Sequence, residues 1–77
     1  MTDTLADALP REIARVSATR DRWRDMAKDH PELGPGMTIT IAIMQAEIDY
    51  AVHACANGDA VEMLAALESL RGYDDND

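Results

Sequence analysis

The stretch Gly34-Pro-Gly-Met-Thr-Ile-Thr-Ile-Ala-Ile-Met44, GPGMTITIAIM, decides the fold. Its middle, MTITI, alternates apolar and polar residues, and threonine and isoleucine favour strands. A strand needs a partner for its ladder, and no other segment of the chain reads as one. Ile41, Met44, Ile48, Val52 and Cys55 instead recur at helical spacing, and Ile39, Ile43, Ala46 and Tyr50 form a second stripe on another side. One helix over about 38–57, with Thr38 as N-cap after the Pro-Gly turn, accounts for both stripes. Apolar on two sides, it is expected to be the central helix, touching two neighbours.

Working outward, Leu9, Ile13, Val16, Arg20, Trp23, Ala27 and His30 step by four and three, which predicts a first helix over about 9–29. Pro10 suits the first turn, where its missing N–H costs nothing, and a loose turn is expected over 4–8. Pro31 ends this helix by disfavouring helical geometry at the residue before it. On the other side, Asn57-Gly58 offers a left-handed exit, and Asp59 with Glu62 reads as an acidic capping box. A third helix over about 60–71 follows, with Ala60, Met63, Leu64, Leu67 and Leu70 inward and Gly72 at its end. The short connection makes the second and third helices an antiparallel hairpin. The expected fold is all-α: a single three-helix domain over 1–73 with a disordered acidic tail at 74–77.

A chain of 77 residues buries only about 60% of its unfolded surface, so the core is thin. That predicts a homodimer or a stable hetero-partner, with Trp23, Ile39, Ile43 and Tyr50 shared across the interface. The net charge of −8 is uneven. Acids and bases cancel through residue 31, whereas residues 32–77 set nine acids against Arg71 alone. Such a surface repels nucleic-acid phosphates and attracts basic partners, and it also serves solubility. Glu47, Asp49, Glu62 and Glu68 are the candidate partner-binding acids. No run reaches the roughly 20 apolar residues of a membrane span, and the acidic N-terminus is unlike a secretory signal. A single cysteine excludes an internal disulfide, so a cytoplasmic setting is expected.

Chemistry finds little footing. His53 and Cys55 lie two apart on a helix, about 200° around its axis, and cannot share an ion. Cys55 falls on the inner stripe and reads as a small core residue. Asp49 and His53 are four apart and make at most two weak ligands; no third is in view. The sequence holds no nucleophile–base order and no phosphate-cradling loop, GPG being a turn. No enzyme, metal or cofactor is implied. Arg11, Arg15, Arg20, Arg22, Arg24 and Lys28 around Trp23 offer a nucleic-acid alternative, opposed by the interleaved aspartates. ACANGDAVEMLAALESL resembles one tetratricopeptide-type hairpin, but no second copy follows.

Taken together, LPREIARV, the mid-chain GPG and GDAVEMLAALESLRGY resemble small proteins of temperate bacteriophages and prophages of proteobacteria over residues 9–73. That family usually carries GPAG and an aromatic before the second helix, where this chain has GPGMTITI. It brings no assigned activity. The resemblance implies an accessory phage gene in the host cytoplasm. Proteins of that kind act by stoichiometric binding to a host protein, as anti-CRISPR inhibitors of defence complexes do. A structural homo-oligomer is the competing expectation.

Overall fold

The computed structural model describes residues 4–73, and the tail at 74–77 lies outside them. Three helices account for almost all of the described chain: α1 (Leu5–Asp29), α2 (Gly34–Asn57) and α3 (Ala60–Arg71), with a 3₁₀ turn at Pro31–Leu33. Each helix packs against the other two. No strand is present among the described residues, so MTITI is helical.

Two helix starts differ from expectation. α1 begins at Leu5, not near Leu9. Thr4 accepts from the Asp7 N–H while the Asp7 side chain returns to the Thr4 N–H, a reciprocal capping box upstream of the proline. Those two bonds fix the first turn, so Pro10 sits one turn further in and removes one ladder bond near the helix start. α2 begins at Gly34, not Thr38. Pro35 occupies the first turn, where no N–H is needed, and no side chain caps the start. Thr38 is therefore not an N-cap: its hydroxyl lies 3.5 Å from the Gly34 carbonyl, and the Thr40 hydroxyl donates to the Gly36 carbonyl at 3.0 Å. This back-bonding is how two strand-prone threonines settle inside a helix.

α3 starts where Asp59 accepts from Val61 and Glu62, after Gly58 takes the left-handed conformation (φ 69°) that glycine adopts without strain. The Tyr73 hydroxyl, just past the end of α3, lies against the Glu47 carboxylate in the middle of α2. Tyr73, the last residue of the expected domain, packs onto the edge of the core.

The core occupies one end of the molecule. Leu9 and Val16 from α1, Met44, Ile48, Ala51 and Ala54 from α2, and Met63, Ala66, Leu67 and Leu70 from α3 are buried together. Three inward assignments are corrected: Val52 (51% exposed), Leu64 (47% exposed) and Ala60 face outward, and Ala51, Ala54 and Ala66 take the inner positions. Alanine lets the backbones approach closely, and the larger side chains turn to the flanks. Thr19, also buried, is satisfied by donating to the Arg15 carbonyl (3.2 Å) and accepting from Arg22 (3.1 Å). Between Thr19 and Met44 no residue is buried.

Length explains this. α1 and α2 have 25 and 24 residues, about 36 Å each, whereas α3 has 12, about 18 Å. The third helix covers half of the pair and leaves residues 20–43 as a two-helix arm. Asp59→Ala removes the α3 cap and is expected to lower stability by about 1 kcal/mol in urea denaturation, with Asp59→Ser close to wild type.

Candidate functional site

Three surface features could support function. The first is the outer face of α2. Ile39 (59%), Ile43 (52%) and Tyr50 (46%) are exposed, and Ala46 between them is exposed too. Spacings of four, three and four place all four within about 60° of arc, on the side opposite the core residues Met44 and Ile48. Ile39, Ile43 and Tyr50 are the expected interface residues of α2. Trp23, the fourth, is half-buried and packs against the core from α1.

Beside this stripe lies the second feature, an apolar groove of about 340 Å³ lined by Trp23, Leu33, Gly36, Met37 and Thr40. It sits in the arm that α3 leaves uncovered. Leu33 (41%) and Met26 (45%) add further exposed apolar surface on the same arm. Isolated exposed apolar residues are ordinary, but a contiguous run of them marks a contact surface.

The third is a groove of about 430 Å³ between the start of α1 and the end of α3, with Leu5, Ala8 and Leu67 in its walls and Arg11, Arg15 and Arg71 around them. Arg15 is held there by Glu12 (2.9 Å) and by donating to the Leu70 carbonyl at 3.0 Å, a tie between α1 and the last turn of α3. Arg11 and Arg71 are distant in sequence, so no local pattern announces this groove.

The four candidate acids do not form one patch. Glu47 and Asp49 are two apart on α2 and point roughly 200° apart. Glu47 is half-buried beside the Tyr73 hydroxyl, and its Oε2 is buried without a partner among the described residues. It is therefore corrected from a displayed anion to part of the α2–α3 seam. Asp49 is exposed and accepts from Gln45 Nε2 (2.8 Å); Gln45 Oε1 in turn accepts from Arg20 (2.6 Å) and from Arg24 (3.4 Å). Arg20, the charged break in the α1 stripe, also pairs with Asp21 at 3.0 Å. Glu62 is half-buried at the α3 start and Glu68 is exposed further along α3. His30 pairs with Glu32 (3.0 Å), away from His53 and Cys55. Among the described residues no three His, Cys, Asp or Glu side chains gather as metal ligands, and no helix is long and apolar enough to cross a membrane.

No protein-family model matches the chain, and comparisons with curated proteins and with solved structures find no match.

Burial, reinforced by the hydrogen bond to Glu47 and by its charge, raises the Tyr73 hydroxyl from 10.0 to about 12. A raised folded value means the stabilisation is complete below pH 10 and fades as pH climbs toward 12. Tyr73→Phe should therefore flatten the loss of stability over that window. Denaturant titrations at stepped pH read the effect.

Proposed function

We propose that this chain is a protein-binding module that acts by stoichiometric contact rather than by catalysis, with the outer face of α2 as its contact surface. The observation that carries this reading is the row Ile39, Ile43, Ala46, Tyr50, exposed along the helix that otherwise centres the core. Fully burying an apolar side chain of that size contributes about 1.5–3 kcal/mol, and these three still have about half of their surface to cover, so together they contribute part of the free energy a partner needs. Asp49 and Glu68 are exposed outside the apolar row, which itself carries no charged side chain. This is the mode expected of a phage accessory protein that occupies a host complex in the cytoplasm. A nucleic-acid role for α1 is the weaker reading, because Arg20 and Arg24 are turned onto Asp21 and Gln45.

A photo-crosslinking amino acid at position 43 should give one adduct of discrete mass in expressing cells. The same group at position 14, exposed on α1, should give none. Equal labelling from both positions, or none from either, would reject α2 as the contact face.

A further inference from the structure

We infer that the occupant of the α2 face is a second copy of this chain, laid antiparallel so that Tyr50 of each copy enters the Trp23–Leu33–Met37 groove of the other. This inference rests on the reading of α2 as a contact surface and names the partner.

Charge selects the partner. From Leu33 to Ala46 the chain carries no ionisable side chain, although it carries −8 overall. A basic partner gains nothing electrostatically from such a face. Two such acidic molecules can meet here without bringing carboxylates together. The self-pairing of two acidic chains and the carboxylate-free stripe therefore fit one another.

Spacing selects the geometry. Residues 39, 43, 46 and 50 repeat as in a helix-pairing seam, four then three then four. About an axis between positions 43 and 46, an antiparallel pair sets Ile43 against Ala46 of the other copy and Ile39 against its Tyr50. Large meets small at the centre, so the helices can close to the usual 8–10 Å. A parallel pair would instead stack Ile43 on Ile43 and Tyr50 on Tyr50.

The uneven core selects the same orientation. α3 ends beside the middle of α2, and beyond it the arm formed by residues 20–43 has no third helix. Antiparallel pairing lays the covered half of one copy along the bare half of the other. Tyr50 then arrives at the level of Ile39, next to Thr40 and about one turn from Gly36, both of which line the 340 Å³ groove. A parallel pair would bring two bare halves together and leave both grooves open.

Area sets the strength. A strip about 36 Å long and 10–12 Å wide offers on the order of 400 Å² per copy. With the two grooves filled, the total approaches the roughly 1,000 Å² at which specific interfaces begin. The dimer should be weak, with dissociation in the micromolar range.

The test uses the full chain. Sedimentation equilibrium across micromolar concentrations should show a reversible monomer–dimer equilibrium. Trp23 is the sole tryptophan, so its emission should shift to the red on dilution through the same range. Ile43→Asp should raise the dissociation constant at least tenfold with helix content unchanged; if that variant loses helicity, Ala46→Glu carries the same measurement. In a Cys55→Ala background, an equimolar mixture of Ile39→Cys and Tyr50→Cys chains should oxidise to the mixed dimer. Ile39→Cys alone should stay monomeric, because eleven residues of antiparallel offset part the two sulfurs by about 16 Å. Self-crosslinking of Ile39→Cys would overturn the antiparallel arrangement. A purely monomeric chain at hundreds of micromolar would overturn the second copy. In that last case a discrete adduct from position 43 with another protein would leave the contact face standing.

Discussion

The mismatch in helix length governs this molecule. Two helices of about 36 Å pack along one another, and the third covers half of that length. Every buried side chain lies where all three helices overlap. Elsewhere a pair of helices can hide only the strip between them, so Trp23, Met37 and Ile41 are half covered, and Met26, Leu33, Ile39 and Ile43 stay in contact with water. The apolar groove, the bare stripe and the off-centre core are one geometric fact seen from three sides.

Polar contacts reinforce this division. Near the middle of the long helices, Arg15 reaches the Leu70 carbonyl and Tyr73 lies against Glu47, so the end of α3 is tied to both. At the boundary, Arg20 and Gln45 join α1 to α2 just where the buried residues stop. Beyond that boundary the threonine hydroxyls bond to their own helix. Such local bonds hold a helix in shape without fixing it to a neighbour.

The all-α class and α3 were legible from sequence because their signals are local. Gly58, Asp59 and Gly72 bracket α3 within a few residues on either side. The starts of α1 and α2 were less legible, for an equally local reason. Thr4 with Asp7 outcompetes Pro10 as a start signal, and Thr38 turns its hydroxyl back to Gly34 instead of forward. The inner face was misassigned where alanine replaces larger residues, since a periodicity weighted by size prefers Val52 to Ala51 and Leu64 to Ala66. The exposed stripe could be read at once, because Ile39, Ile43, Ala46 and Tyr50 announce themselves by spacing. The arginine-lined groove could not, since Arg11 and Arg71 meet only after folding.

The helical state of MTITI has a further consequence. It is a short, uncharged, β-prone segment free of proline, the composition from which fibrils grow when such a stretch is released. It lies in the arm of residues 20–43, which holds no buried residue and where local opening is easiest. Pro35 just upstream and Glu47 downstream act as gatekeepers at the two ends of the stretch. Whatever covers this arm therefore also shields the chain from aggregation.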